Sequence, residues 1–112
     1  MVLKHHKNLD IEKWQNASLS FQMANIGSEI SRTIIWRNKN NTDYSDRAFE
    51  RALELIDLTA ASQKNKGRLR EVMRMRESLV GWKLAGQYEK KADEAWQHYF
   101  DAFAIVVRKS AT

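Results

Sequence analysis

Glu94 and His98 stand four residues apart, and Asp101 follows three later, so one stretch of chain offers two carboxylates and an imidazole. On a helix that spacing stacks the side chains on one face, where a carboxylate and an imidazole can share a proton or a metal ion. A carboxylate-bridged metal pair inside a helical bundle needs more: inward glutamates and glutamate-x-x-histidine pairs on opposed helices. Glu29, Glu50, Glu54 and Asp57 are available elsewhere, but the glutamate-x-x-histidine spacing occurs nowhere. Glu94 and His98 therefore read as a surface pair one turn apart, and no metal or other cofactor is expected.

His5 and His6, flanked by Lys4 and Lys7, can touch an anion or a metal ion only non-specifically from a chain terminus. Ser18, Ser20, Ser28 and Ser31 have no histidine at a readable spacing and no strand-to-helix elbow before them, so no nucleophilic triad is legible. The chain has no cysteine, which removes thiolate chemistry, disulfides and cysteine-based metal centres. Catalysis is the least supported class, and a non-enzymatic role is expected.

The strongest electrostatic feature is "KNKGRLRE". It has one glycine and does not match a phosphate-binding loop of the Walker type. Gly67 nevertheless places the amides of a helix N-terminus beside Lys64, Lys66, Arg68 and Arg70, with Arg74 one turn further on. Two readings stay open. These cations form a patch for RNA or DNA, joined by Arg32, Arg37, Lys39 or the N-terminal arm, or they are the solvated side of a helix laced to Glu71 and Glu77. The balance of 19 Lys plus Arg against 14 Asp plus Glu leaves a charge of +5, which permits either.

The elements that position these groups follow from apolar spacing. From Ile11 to about Arg37 the pattern predicts one long helix. Leu19, Met23, Ile26, Ile30 and Thr33 make one seam, and Trp14, Ala17, Phe21, Ala24, Ser28, Ser31 and Ile35 a second. Asp10 is its candidate N-cap. About 26 helical residues span about 39 Å, enough to overhang its neighbours unless the N-terminal part is an independent turn. Ala24, Gly27, Ser28 and Ser31 in its middle suit the close approach of another helix. "RNKNNTDYS" breaks the pattern, with Thr42 or Asp43 as a cap, and a second helix runs to about Ala61. "SQKNKG" is a second break. A third helix covers about Gly67 to Ala85, the chain turns at Gly86, and a fourth covers about Ala92 to Arg108. Ala92, Ala95, Trp96, Tyr99, Phe103, Val106 and Val107 form its stripe, broadened by Phe100.

With no proline and no strand candidate, the expected fold is all-α, an up-down antiparallel four-helix bundle with a long first helix. A single domain covers residues 11–108, between a flexible basic arm at 1–10 and a flexible tail at 109–112. No apolar run reaches membrane-spanning length, the start lacks the apolar segment of a signal peptide, and a cytoplasmic location is expected. The acceptor patterns at Asn16 and Asn40 would then go unused. Four tryptophans exceed what a small four-helix core easily buries. Trp14, Phe21, Trp36 and Trp82 are thus the candidate residues of an interface between copies of the chain.

The segments "NIGSEISRTIIWRNKNN", "RAFERALELIDLT" and "RLREVMRMRESLVGW" resemble a family of small uncharacterised bacterial proteins, over about Trp14 to Phe103. More distantly, size, basic character and helix order are similar to the four-helix proteins of ribosomal-RNA intervening sequences and to retroelement accessory (Avd-like) proteins. That resemblance implies homo-oligomers, with a ring-like pentamer as the family's form, and nucleic-acid binding. It implies no catalytic or metal-binding residue.

Overall fold

The computed structural model describes residues 3–86 and 89–110. Within them the chain forms five α-helices and no strand: α1 Ile11–Asn16, α2 Leu19–Asn38, α3 Thr42–Ala60, α4 Leu69–Leu84 and α5 Lys90–Ser110. A 3-10 segment, Gln63–Arg68, leads into α4.

The single helix expected over 11–37 is split. Asp10 caps α1 as expected, its Oδ1 accepting the Lys13 amide at 3.1 Å. Ala17 and Ser18 are then extended, and the Ser18 Oγ accepts the Phe21 amide at 3.1 Å, starting a new helix. A serine in helical phase is invisible to a periodicity count, yet its hydroxyl competes for the backbone and prefers the N-cap. The break folds α1 back, burying Trp14 to 6% exposure. Gln22 fixes the bend by donating from Nε2 to the Trp14 carbonyl at 2.8 Å. The overhang disappears with it: α2, at 20 residues, is about 30 Å long, and α5, at 21, is longer.

After α2 the chain reverses through Asn40, at φ +61, a conformation asparagine tolerates better than most residues. The α3 cap is Asn41, one residue before the expected threonine, and its side chain accepts the Tyr44 amide at 3.0 Å. Gly86, at φ +68, makes the turn after α4 as expected. The break at 62–67 is no open loop. Asn65 is buried there and donates from Nδ2 to Gln22 Oε1 at 2.9 Å and to the Thr59 carbonyl at 3.0 Å.

Named contacts fix the helix directions. Ser45 Oγ donates to the Thr33 carbonyl at 2.7 Å and Arg51 pairs with Glu29 at 2.9 Å, so α3 runs back along α2. Arg76 to Asp57 at 2.9 Å and Lys83 to Asp46 at 2.6 Å do the same for α4 on α3. α5 lies on the other side of α2, with Phe100 against Gly27 and Asp93 against Arg37. The core gathers Ile26, Ile30 and Ile34 of α2, Leu55, Ile56 and Leu58 of α3, Val72, Met75 and Leu79 of α4, and Phe100. The α4 and α5 backbones, by contrast, hardly approach each other.

The basic arm is not pendant. Leu3 is buried in the core cluster, and the next residues clasp α3. The His5 amide donates to Glu54 Oε2 at 2.8 Å, and the His5 ring meets Glu50 Oε2 at 2.8 Å. The His6 amide and ring both lie 3.3 Å from Glu54 Oε1. The His5 ring holds the Glu50 carboxyl below the usual carboxylate range, helped by Lys4. Burial pushes Glu54 up, but the two backbone amides and the His6 ring outweigh it and the net displacement is downward. A carboxyl whose pKa is lower in the folded state stabilises that state above its unfolded pKa, and the gain is lost as pH falls through the folded value. Acidification below about pH 4 is therefore expected to release the arm before the core unfolds. Hydrogen exchange would register it as lost protection at the His5 and His6 amides while the α2 and α3 amides stay protected. Protection that persists down to global unfolding would show that the two carboxylates do not hold the arm. Of the tail at 109–112, Lys109 and Ser110 continue α5, and the last two residues lie outside the described ones.

Candidate interaction surface

The cations of "KNKGRLRE" do not act as one set. Lys64 is exposed but tied down within the chain: its Nζ donates to Gln22 Oε1 at 3.0 Å and Asn65 Oδ1 at 2.9 Å, and burial lowers its pKa. It ties the 3-10 segment to α2. Arg68 pairs with Glu71 at 2.5 Å. Lys66, Arg70 and Arg74 are exposed and form no ion pair among the described residues. Gly67 has open space around it, but the 3-10 segment runs straight into α4, and the Leu69 amide already donates to the Lys66 carbonyl. Of the wider cation set, Arg32 pairs with Glu29 at 2.7 Å and Arg37 with Asp93. Lys39 lies 5.3 Å from the Trp36 ring centroid.

Glu94 and His98 are both exposed but form no hydrogen bond or ion pair with each other. No group of three or more His, Asp or Glu that could hold a metal ion occurs among the described residues. Glu71 pairs with Arg68, Arg76 reaches across to Asp57, and Arg74 is exposed.

The tryptophans assigned to an interface divide differently. Trp14 is core, so its assignment is corrected: the bend at Ala17 supplies a burial site that a straight helix lacked. Its Nε1 is buried without a partner. Phe21, beside it at a centroid distance of 6.2 Å, stays exposed on the rim of an open groove that Asp10, Lys13 and Ser18 also line. Trp36 is half-buried, edge-on to Tyr44 at 4.9 Å. Trp82 is also half-buried and committed within the chain. Its Nε1 donates to Asp93 Oδ1 at 3.0 Å, and the Arg37 guanidinium lies 5.9 Å from its ring centroid. Asp93 and Arg37 were not legible as a site, because nothing in sequence links positions 56 apart.

Besides Phe21 and Ile35 on α2 and Tyr44 on α3, the large apolar side chains left exposed lie on α4 and α5. On α4, Leu69, Met73 and Leu84 are exposed. On α5 the stripe expected to be buried has rotated. Phe100, at 4% exposure, is the anchor in the core, and Trp96, Phe103 and Val107 are half-buried. Ala95, Tyr99, Ala102 and Val106 face outward, with Tyr99 at 41% and Val106 at 49%. Burial raises the Tyr99 pKa, with the charge of Glu71 adding to it. Tyr99 also stacks edge-on with Phe100 at 5.1 Å and Trp96 at 5.7 Å, a rigid apolar ridge with one open side.

No family model matches the chain, and neither a search of curated proteins nor one of solved structures finds a match. These comparisons bear neither way on the resemblance to intervening-sequence and retroelement accessory proteins. No helix among the described residues is long and apolar enough to cross a membrane.

Proposed function

We propose that this chain is a non-enzymatic assembly or adaptor protein that works by associating with copies of itself, its α2 to α5 arranged as an up-down antiparallel four-helix bundle with α1 as an appended turn. The antiparallel contacts of α2 with α3, α3 with α4 and α2 with α5 support that arrangement. The observation that carries the function is the uncovered apolar row on the longest helix, α5, beside exposed Leu69 and Met73 of α4. Exposed apolar rows of this kind mark association surfaces.

The nucleic-acid reading has less behind it. With Lys64 tied to Gln22 and Asn65 and Arg68 paired with Glu71, Lys66, Arg70 and Arg74 are the members of the proposed patch that form no ion pair among the described residues. A few unopposed cations give weak, strongly salt-dependent binding.

Light scattering at tens of micromolar tests the assembly. The mass should be a multiple of the 13.1 kDa chain. A single-chain mass at that concentration would overturn the proposal.

A further inference from the structure

The outward row on α5 has the spacing of a coiled-coil seam. Ala95, Tyr99, Ala102 and Val106 are separated by four, three and four residues, the alternation that keeps one face of a helix against a partner helix. The flanking positions are Trp96 and Phe103 on one side and His98 and Ile105 on the other. None of these eight residues is Asp, Glu, Lys or Arg, in a chain where such residues make up 29%. A solvated helix face would carry its share of them. Glu94, Asp101 and Arg108 recur every seven residues along a separate line of α5, and Lys109, three beyond Val106, closes the row.

The order of sizes along the row identifies the occupant. Small Ala95, large Tyr99, small Ala102 and larger Val106 become complementary when the row is laid against itself in reverse, centred between Phe100 and Asp101. In that register Ala95 is level with Val106 of the second copy and Tyr99 with its Ala102. Every bulky side chain then meets a small one, and two-fold symmetry repeats each contact. A parallel pairing would set Tyr99 on Tyr99 and leave gaps at the alanines. Two copies that each carry a charge of +5 repel least when they meet across an uncharged face.

Resting on the assembly reading above, we propose that the outer face of α5 is a self-complementary docking surface for a second copy of this chain, packed antiparallel about a two-fold axis with Tyr99 against Ala102 and Ala95 against Val106. The chain has no cysteine of its own, so the register can be read with introduced thiols. Ala95→Cys and Val106→Cys chains are mixed in equal amounts and treated with a short thiol-to-thiol cross-linker. A covalent dimer is expected in the mixture and not in either variant alone, because two copies of residue 95 would stand about 16 Å apart along the pair. Ala102→Glu sets a carboxylate against Tyr99 twice. It is expected to abolish self-association at tens of micromolar with the helical circular dichroism spectrum intact, since position 102 is exposed in the single chain. An Ala102→Glu chain that associates like the parent, cross-linking of residue 95 to residue 95, or an odd-numbered ring would each overturn the two-fold pairing while leaving assembly standing. A parent chain that is single in solution would overturn both.

Discussion

Gly27→Ala is expected to destabilise the fold by about 1 to 3 kcal/mol, the range for overpacking a core, although alanine is the better helix former by about 1 kcal/mol. A β-carbon at Gly27 would lie 2.5 Å from the Phe100 Cβ and 2.9 Å from its Cγ. The nearer atom is fixed to the α5 backbone, so no rotamer change relieves the overlap. α2 and α5 must separate, and Phe100 must leave its place in the core. Gly81→Ala supplies the matched control. Gly81 is also inside a helix, but among the described residues nothing lies within 4 Å of where its β-carbon would be. There the propensity gain is unopposed, and stability is expected to rise by about 0.5 to 1 kcal/mol. Denaturant midpoints at constant m-value would compare the two. Equal or greater stability for Gly27→Ala would mean that α2 and α5 are not in contact at this point.

That contrast also shows which parts of the molecule were legible in the sequence. Gly27 declared itself because a glycine inside a strongly apolar helix is costly unless something needs the space. Gly86, Asp10 and the asparagine-rich break after α2 were legible for similar reasons: their backbone or side-chain chemistry has few uses other than ending and starting helices. Periodicity located α3, α4 and α5 to within a few residues and merged α1 with α2. It could not see the bend at Ala17, since Ser18 keeps the phase of the pattern while changing the backbone. It also fixed which residues of α5 are apolar without fixing which way they point. Ala95, Tyr99 and Val106 share the helix with Phe100, and contacts across to other helices, Phe100 with Gly27 and Asp93 with Arg37 among them, decide which go inside. Of the candidate site, residue types were visible and pairings were not. Whether Lys64 meets solvent or Gln22, and whether Arg68 is free or held by Glu71, depends on a 3-10 segment that reads as loop.

The pairing least visible in sequence carries the second large effect. Asp93→Ala is expected to cost about 3 to 5 kcal/mol, the range for removing one member of a buried ion pair, out of a total of about 5 to 15 kcal/mol for a domain. Asp93 accepts from Arg37 through both carboxylate oxygens and from Trp82 Nε1, and the Arg37 and Asp93 side chains are each only 10% exposed. Without the carboxylate, a desolvated guanidinium and an indole N–H lose this shared acceptor together. Arg37 retains the Asn38 side chain at 3.1 Å, which favours the lower half of that range. Replacing both charges, as Arg37→Met with Asp93→Leu, is expected to recover much of the loss, because the cost lies in the abandoned charge more than in the missing attraction. The position matters as much as the charge. The α4 and α5 backbones hardly approach one another, so the Trp82 to Asp93 bond is the tie between the end of α4 and the start of α5. Asp93→Ala should therefore raise hydrogen exchange first in the opening turns of α5, ahead of α2 and α3. A loss below about 1 kcal/mol, the value of an exposed pair, or exchange that rises uniformly through the chain, would show that this cluster neither is desolvated nor holds α5 in place.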